Sequence, residues 1–597
     1  MKKALIIFLS MVVSLTVFSG CGNQGSEGDT SKVSSAAVSD DSKTDNSGEG
    51  ASPVSDTSSD SSQSTSESSY FSDSDYKDMS SETPHAVITL SGSAAELSDS
   101  TRGSVSGSTV TITSKGIYKV TGSSQDVSIV IDDSTKSGNV YLILDGVTMT
   151  NSSAPCIKVQ NADKVIIQCT GDNALTFNSS NSSAKEDAAI YAKDDVTING
   201  SGSLKIKSNL HGIVCKNDLK ITDSQLELNA DSIGIKSEGT VRIGGGQIAV
   251  TSGHDGIQIE NDDNDASFYF EKAKLVISSG YDGISVKAGD DNKTFTGTVE
   301  LNGGILTVIT ASGSGSDSSK DSNTSQKGIK TDGDLIISET ALTVSAADDA
   351  IHGNASITIN SGTIGLSSGD DGITASGDLT INGGSVVVTK SYEGLEAENI
   401  TINGGVVGVT ASDDGINCSG GSDTTSKDDN PWGSGNTNAK LTINGGEVHV
   451  NSEGDGLDSN GSIYITGGTV IVEGPSSAGN GALDKGDGSD CVASITGGTV
   501  IAIGTSDMAI NFDSGTQCSA LVSLSGSEGT TITVDDGSGF TFTANKSFSS
   551  VVYSSPELKQ GSTYTISAGD STATADFSSG LYYSEISGRG GMGGPQR

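Results

Sequence analysis

The side chains best suited to chemistry are acidic residues that recur just before a large aliphatic residue. Between Lys327 and Ser419 the chain reads KGIK, DDAIH, DDGIT, YEGLEA and DDGINC, so one or two acids, usually a Gly, and then an Ile or Leu repeat. Carboxylates brought together in this way bind divalent cations or share protons. The candidate metal ligands are Asp348, Asp349, Asp370, Asp371, Glu393, Glu396, Asp413, Asp414, Asp455, Asp458 and Asp484.

Repulsion among these carboxylates favours Ca²⁺ as the cofactor. If each repeat forms one coil of a solenoid, as argued below, equivalent acids on neighbouring coils lie about 4.8 Å apart. Two unit charges at about 5 Å repel by roughly 1 kcal/mol in water and by roughly 3 kcal/mol at an effective dielectric constant near 20. Carboxylate, Asn and turn-carbonyl oxygens at irregular geometry suit Ca²⁺ better than Mg²⁺. We predict Ca²⁺ on the coils from Ile351 to Ile416 and again around Asp455, Asp458 and Asp484. The alternative is that Asp-Gly only forms good turns on a solvated face.

A repeat of about 22 residues must position these acids. The aliphatic residue after the acidic turn, which we call the landmark residue, recurs every 21 or 22 residues at Ile329, Ile351, Ile373, Leu395 and Ile416. A second motif, INGG, keeps step with it at 381–384, 402–405 and 443–446. Such a unit holds three short strands and their turns, which is typical of a parallel β-helix.

The predicted fold class is therefore all-β, a right-handed parallel β-helix solenoid of roughly fifteen coils. Extruded loops are expected where the repeat is interrupted, at 311–326 and 419–439. The predicted domains are a lipoprotein signal and lipobox at 1–21, a disordered Ser/Asp-rich tether at 22–80, the β-helix at 84–533, a C-terminal β cap at 534–580 and a disordered tail at 581–597.

The N-terminal stretch predicts export and lipid attachment. MKKALIIFLSMVVSLTVFSGC has two lysines, an apolar run and small residues before Cys21, and it resembles a bacterial lipoprotein signal with the lipobox Phe18-Ser19-Gly20-Cys21. A lipid on Cys21 would hold the protein at the outer face of the bacterial cell membrane, with the anchor as its only membrane contact. The alternative is an ordinary secretory signal, and both predict an extracellular protein.

Charge and cysteine spacing exclude some classes of partner. The net charge is -41, from 34 Lys and Arg against 75 Asp and Glu. Phosphate binding needs a basic surface, so nucleic acid is excluded as a partner and a divalent cation is favoured. The six cysteines after Cys21 form no C-x-x-C pair, so zinc is not supported. We expect a monomer.

The second half of the chain resembles a known family. The stretches SYEGLEAENITINGG, ASDDGINCSGG, GDGLDSNGSIYITGGTVIVEGP and GNGALDKG are similar to clostridial-type surface proteins called carbohydrate-binding domain-containing proteins. The resemblance implies a pectate-lyase-like parallel β-helix that binds Ca²⁺ and is associated with cellulose-like and acidic-sugar polymers. Its acidic motifs fall on the candidate ligands from Asp370 to Asp484.

Three functions remain open from the sequence. The first is Ca²⁺-dependent, non-catalytic binding of a plant cell-wall or acidic polysaccharide, with the sugar stacking on Trp432, Tyr392 and Tyr281, although both tyrosines could equally be external packing. The second is a polysaccharide lyase that acts by β-elimination on a uronate, for which Lys330, Lys390 and Lys485 are the candidate bases. The third is a structural adhesin.

Overall fold

The computed structural model describes residues 70–181, 183, 185–261, 266–289, 297–315, 324–418 and 438–584. Cys21 and Trp432 lie outside the described residues, as do the predicted signal, most of the predicted tether and residues 419–437 of the loop predicted at 419–439. The described part contains no helix that is long and apolar enough to cross a bilayer.

The predicted parallel β-helix is confirmed, and each coil contributes one strand to each of three parallel sheets. Sheet 1 carries the landmark residues, and the described residues supply fifteen strands to it. They are Thr109–Ile112, Ser128–Asp132, Ile157–Asn161, Ala188–Ala192, His211–Cys215, Ile235–Ser237, Ile257–Asn261, Ile284–Ala288, Ile329–Thr331, Ile351–Gly353, the first parts of Ile373–Ile381 and Leu395–Ile402, Ile416–Cys418, Leu457–Ser459 and Leu483–Lys485.

Sheets 2 and 3 follow sheet 1 in every coil. Sheet 2 contains Ala86–Gly92, Gly116–Gln125, Val140–Asn151, Lys164–Thr170, Asp195–Asn199, Leu219–Ile221, Val241–Ile243, Phe268–Phe270, Val299–Asn302, Leu335–Ser338, Ile357–Ile359, the second parts of Ile373–Ile381 and Leu395–Ile402, Lys440–Ile443, Ser462–Ile465, Ala493–Ile495 and Ser514–Gly515. Sheet 3 contains the ends of Gly116–Gln125 and Val140–Asn151, then Asp172–Phe177, Ser203–Ser208, Gln225–Ala230, Gln247–Ser252, Lys274–Ser279, Ile305–Thr310, Ala341–Ser345, Thr363–Ser367, Ser385–Lys390, Val406–Ala411, Glu447–Ser452, Thr469–Glu473 and Thr499–Gly504.

The landmark residues stack in register inside the solenoid. Ile351 pairs with Ile373, Ile373 with Leu395, and Leu395 with Ile416. All four side chains are fully buried, and each such burial stabilises the fold by about 1.5–3 kcal/mol. The side chain one residue after each landmark points to the opposite face of the strand, away from the core, where neighbouring residues still bury His352, Thr374 and Asn417.

The INGG motif forms the turn between sheets 2 and 3. Its second glycine has positive φ in successive coils, +84° at Gly384, +87° at Gly405 and +86° at Gly446, a conformation that other residues adopt at a cost. The asparagines form a ladder: Asn403 Nδ2 donates to Asn382 Oδ1 at 2.8 Å, and Asn444 Nδ2 donates to Asn403 Oδ1 at 2.9 Å. The motif therefore fixes the coil-to-coil register.

Residues 70–79, which we call the N-terminal strap, lie on the outer face of sheet 2. They include a short helix, Asp73–Tyr76, and the carboxylate of Asp75 is fully buried against Lys164 and Lys220. Tyr70 stacks on Tyr269 with ring centroids 4.1 Å apart. The last part of the segment predicted to be a tether is thus packed on the solenoid.

Antiparallel strands close the C-terminal end. Two further antiparallel strands lie at the N-terminal end: Ala94–Leu97 pairs with Ala86–Gly92, and Gly103–Ser106 pairs with Thr109–Ile112. After Thr499–Gly504 the pairing becomes antiparallel through Phe548–Ser554 and Ser519–Gly526, with Leu581–Tyr583 beside the latter. A second sheet contains Thr531–Val534, Thr541–Thr543, Thr563–Ala568 and Ser571–Asp576. The antiparallel part therefore begins ahead of residue 534, where the sequence placed the cap.

Candidate functional site

The predicted metal ligands occupy three positions of the repeat, at the turn that leads into sheet 1. They lie two or three residues before a landmark residue, or one residue after it. Close coil packing explains the Gly between acid and landmark: a Cβ at Gly372 would lie 2.5 Å from the carbonyl oxygen of Gly394 and 2.8 Å from Cγ1 of Val388. The repeat therefore turns the acid outward and the aliphatic residue inward.

The Asp two residues before the landmark also has a structural role. Its Oδ1 accepts a hydrogen bond from the backbone amide at the same position of the next coil. Asp371 N donates to Asp349 at 3.1 Å, Glu393 N donates to Asp371 at 3.0 Å, and Asp455 N donates to Asp414 at 2.6 Å. One carboxylate oxygen thus caps the neighbouring turn, which is the turn chemistry considered as the alternative. The second oxygen is left for other partners.

Asp348, Asp349 and Asp370 form the tightest acidic group in the described part of the chain, with one oxygen of each within 4.8 Å of the others. A lysine already compensates this trio. The buried ammonium of Lys327 contacts Asp349 and lies 3.5 Å from Asp348, and His352 Nδ1 lies 2.8 Å from Asp349. Burial would raise the pKa of Asp349, but the His352 hydrogen bond and the Lys327 charge lower it to about 2. The trio therefore has less need of a metal ion than its geometry implies.

Beyond the trio lies a group that we call the acidic cluster, composed of Asp371, Glu393, Glu396, Asp414, Asp455, Asp458 and Asp484. Burial, and then the charges of the neighbouring carboxylates, raise the pKa of Glu393 to about 9, of Asp371 and Asp458 to about 8, and of Asp455 to about 7. The same causes raise the pKa of Asp414 to about 6, although a hydrogen bond from the Asp455 amide opposes them. Ionising all of these groups at once would therefore concentrate negative charge here, and without a cation Glu393, Asp371 and Asp458 keep their protons near neutral pH.

No basic side chain offsets this charge within the described residues. No Lys, Arg or His there forms an ion pair with Asp371, Glu393, Asp414, Asp455, Asp458 or Asp484. The only basic residue that lowers the pKa of Asp484 is Lys485, whose ammonium lies 3.6 Å from Asp513. Within the described residues, six carboxyl groups of the acidic cluster, all but that of Glu396, thus have no ion pair.

Asn417 lies in the middle of the acidic cluster and was missed by the sequence analysis. It follows the landmark Ile416 and pairs in register with Glu396 on one side and Asp458 on the other. Its Nδ2 donates to Glu393 Oε2 at 3.0 Å, while its buried Oδ1 has no hydrogen-bond partner in the described structure. The signal for it was its place in the repeat, since Glu396, Asp458 and Asp484 occupy that same place.

The residues predicted to contact sugar or act as bases are scattered. Tyr281 and Tyr392 are 38% and 49% exposed and lie four coils apart along sheet 1. A hydrogen bond to Asp413 raises the pKa of Tyr392 to about 12. Lys390 donates to the carbonyl of Ser314. Neither Lys390 nor Lys485 has an ion pair with the acidic cluster within the described residues.

Comparisons with known proteins agree with the resemblance seen in the sequence. A family model described as carbohydrate-binding domain-containing protein matches residues 106–372 and 367–537, and so covers most of the chain and all of the acidic cluster. A carbohydrate-binding domain-containing protein of Acetivibrio thermocellus is 38% identical over 136 residues, which are 21% of this chain and 47% of the relative. The chain thus spans about half the length of this curated relative.

A solved structure is similar over a longer stretch. It is described as the polysaccharide lyase-like protein from C. thermocellum, in a gadolinium derivative. The two chains are 27% identical with a TM-score of 0.32, and the match covers 50% of this chain and 96% of that chain.

Proposed function

This chain belongs to the carbohydrate-binding domain-containing protein family, and from this premise we propose that it binds polysaccharide, without cleaving it, through Ca²⁺ held by the acidic cluster. The observation that carries the proposal is the Oδ1 of Asn417, which has no hydrogen-bond partner among the described residues and is buried near Glu393 and Asp458, two carboxyl groups that form no ion pair with any described basic residue. An amide oxygen without a donor, set among carboxylates, is the environment that Ca²⁺ satisfies.

The donor types suit Ca²⁺ at Glu393, Glu396, Asn417 and Asp458, with Asp414 and Asp455 beside them, although in the described structure their carboxylate oxygens are more widely spaced than those of the trio. Each of these side chains offers at least one oxygen ligand, and Ca²⁺ takes six to eight oxygen ligands with flexible geometry. A bound Ca²⁺ would supply positive charge that draws the carboxylate or hydroxyl oxygens of a sugar to an otherwise repulsive surface. The second expected site, around Asp455, Asp458 and Asp484, shares Asp458 with the first.

The repeated coils favour a linear polymer as the ligand. Equivalent positions recur once per coil along sheet 1, so a chain of sugars laid along the solenoid would meet the same chemistry several times. The exposed ring of Tyr392 lies beside Asp413 and Glu393 and offers a face for stacking. Acidic uronate polymers and cellulose-like polymers are the two candidate ligands.

We also propose that the protein acts at the outer face of the bacterial cell membrane, held by a lipid on Cys21. The lipobox-like Phe18-Ser19-Gly20-Cys21 supports this. Growth of the producing cells with a labelled fatty acid tests it: label should enter the wild-type protein and be absent from the Cys21→Ser variant. Equal labelling of the two would contradict lipid attachment.

Binding to immobilised polygalacturonate and to cellulose, in Ca²⁺ or in EDTA, tests the main proposal. We expect retention on at least one polymer in Ca²⁺ and at least tenfold weaker binding in EDTA. Asn417→Leu should lower retention in Ca²⁺, whereas Asn229→Leu, at an exposed position on sheet 3, should not. Equal binding in Ca²⁺ and EDTA would exclude the metal from the function.

The same incubation distinguishes binding from a lyase reaction. β-Elimination on a uronate leaves an unsaturated product that absorbs in the ultraviolet, and we expect none. Formation of such a product by the wild-type protein, with loss of it in Lys330→Ala or Lys390→Ala, would replace the binding proposal with a lyase.

A further inference from the structure

A separate pocket opens on the same face as the acidic cluster, nearer the N-terminal end of the solenoid. Its volume is about 300 Å³, and its walls include His254, Asp255, Gln258, Tyr281 and Lys330. All of its lining residues belong to the described part of the chain. The volume lies at the lower end of the range for small-molecule sites, which corresponds to one sugar ring rather than a longer segment.

Gln258 leaves a buried polar atom in this wall. It pairs in register with Lys236 and Ser285 on the neighbouring coils, and the residue is only 9% exposed. Its Oε1 has no hydrogen-bond partner within the described residues. Leaving such an oxygen unsatisfied costs about 1–3 kcal/mol, and a hydroxyl group of a ligand in the pocket would satisfy it.

Lys330 supplies a positive charge that no described residue pairs. It is half-buried, and no hydrogen bond or ion pair holds its ammonium in the described structure. The other lysine of the pocket, Lys287, lies 3.4 Å from Glu260. Of the two cationic groups, Lys330 is therefore the one available to an anionic ligand.

The two carboxyl groups of the pocket, Asp255 and Asp282, accept hydrogen bonds from other residues and also interact with the charge of Lys330, which opposes the rise that burial causes in the pKa of both. Asp255 Oδ1 accepts a hydrogen bond from the Asp282 amide at 3.2 Å, and Asp282 Oδ1 accepts from Ser325 Oγ at 2.7 Å and from the Lys327 amide at 2.8 Å. Burial, and then the charge of Asp282, raise the pKa of Asp255 to about 7. The charge of Lys330 is thus only partly offset near neutral pH.

An aromatic pair lies at the rim. The rings of His254 and Tyr281 are tilted by 59° with centroids 4.8 Å apart, and Tyr281 is 38% exposed. The apolar face of a sugar ring can pack on such a surface. Stacking surface, hydroxyl acceptor and cation therefore converge on one small pocket.

We propose that this pocket binds a single carboxylated sugar unit, a hexuronate, whose carboxylate pairs with Lys330 and one of whose hydroxyl groups donates to Gln258 Oε1. The inference rests on the proposed carbohydrate-binding function, but it needs neither Ca²⁺ nor the acidic cluster. It also assigns the acidic sugar, rather than the neutral one, as the preferred ligand at this end of the solenoid.

Calorimetric titration with D-galacturonate and with D-galactose, both in EDTA, tests the inference. The two sugars differ at the carboxylate, so galacturonate should bind at least tenfold more tightly. Lys330→Met should weaken galacturonate binding at least tenfold, and Gln258→Leu should weaken both sugars. Lys274→Met, at an exposed position on sheet 3, is the matched control and should bind like wild type.

Three results would overturn the inference: no galacturonate binding in EDTA, equal affinity for the two sugars, or unchanged affinity in both pocket variants. Melting temperatures confirm that the variants are folded. The two proposals can fail independently. Ca²⁺-dependent retention on a polymer can be absent while galacturonate still binds in EDTA, and galacturonate binding in EDTA can be absent while the polymer is still retained in Ca²⁺.

Discussion

Asn417 Nδ2 donates a 3.0 Å hydrogen bond to Glu393 Oε2, while the buried amide oxygen of Asn417 accepts none from the described residues. Glu393 has a pKa raised to about 9 by burial and by Glu396 and Asp371. The pair therefore joins an unsatisfied oxygen to a carboxyl group that resists ionisation. A cation at this place would relieve both, because it coordinates the amide oxygen and favours the ionised carboxylate.

Removal of Ca²⁺ should destabilise the solenoid. A ligand at a free concentration one hundred times its dissociation constant stabilises the folded state by about 2.7 kcal/mol, so EDTA should lower the melting temperature by several degrees. Asn417→Leu and Asp458→Asn should reduce the difference between Ca²⁺ and EDTA. Glu227→Gln, on the exposed face of sheet 3, should leave it unchanged. A melting temperature that is the same in Ca²⁺ and EDTA would argue against structural metal sites.

The metal-free protein should lose stability as pH rises from 7 to 9. The pKa is raised to about 9 for Glu393 and to about 8 for Asp371 and Asp458, far above the unfolded values near 4. In this window the folded state keeps protons that the unfolded state has released, so raising the pH favours unfolding. Urea midpoints measured in EDTA should fall with pH, and less steeply in Glu393→Gln. Saturating Ca²⁺ should flatten the slope, and a midpoint that rises across this window would refute the assignment.

Lys327→Met should leave the buried negative charge of Asp349 without its lysine partner. Asp349 is fully buried against this lysine, and breaking a buried ion pair by removing one partner costs about 3–5 kcal/mol. The variant should also gain a larger stabilisation by Ca²⁺ than wild type, because the trio of Asp348, Asp349 and Asp370 then lacks its cation. Urea unfolding with and without Ca²⁺ measures both effects, with Lys274→Met as control. A variant as stable as wild type in EDTA would contradict this role for Lys327.

Asp75→Ala should release the N-terminal strap. Asp75 contacts Lys164, accepts from Thr197 Oγ1 at 2.7 Å and lies 3.3 Å from Lys220. Burial would raise the pKa of Asp75, but hydrogen bonds from Lys164, Ser72 and Thr197 together hold it below its usual range. Without this carboxylate two partly buried lysines lose their counter-charge. Trypsin should then cut after Lys77 more rapidly than in wild type, as followed by mass spectrometry. Asp73→Ala, two residues away and exposed, should not change the rate, and equal cleavage of all three proteins would show that Asp75 does not hold the strap.

Periodicity explains why so much of the fold was predictable. The interval between Ile351, Ile373 and Leu395 gives the coil length, and the register pairs these same residues. The INGG motif predicts the turn, because glycine adopts the positive φ of Gly405 at the least cost. Residues 70–79 carry no periodic signal. Their place on sheet 2 depends on Asp75 meeting Lys164 and Lys220, which are about 90 and 145 residues away.

The candidate site was predictable in its composition but not in its electrostatics. The repeat places Asp349, Asp371 and Glu393 in one column. It does not show that Lys327 neutralises the first of these while no described basic residue pairs with the other two. Lys327 lies two residues before the landmark Ile329, the position that Asp349 and Asp371 occupy in their own coils. From the sequence alone it therefore looks like an interruption of the acidic column.

The sequence by itself determined the solenoid, the outward acidic column and the family, because a repeat of fixed length imposes the same local geometry on every coil. Only the tertiary structure decided where positive charge is lacking. It also showed that Asn417 and Gln258 each bury an oxygen that has no hydrogen-bond partner in the part of the chain that the structure describes. Burial and ion pairing depend on side chains from neighbouring coils, which are 20 to 45 residues apart in the chain. The sequence of a single repeat does not show which of these side chains come into contact.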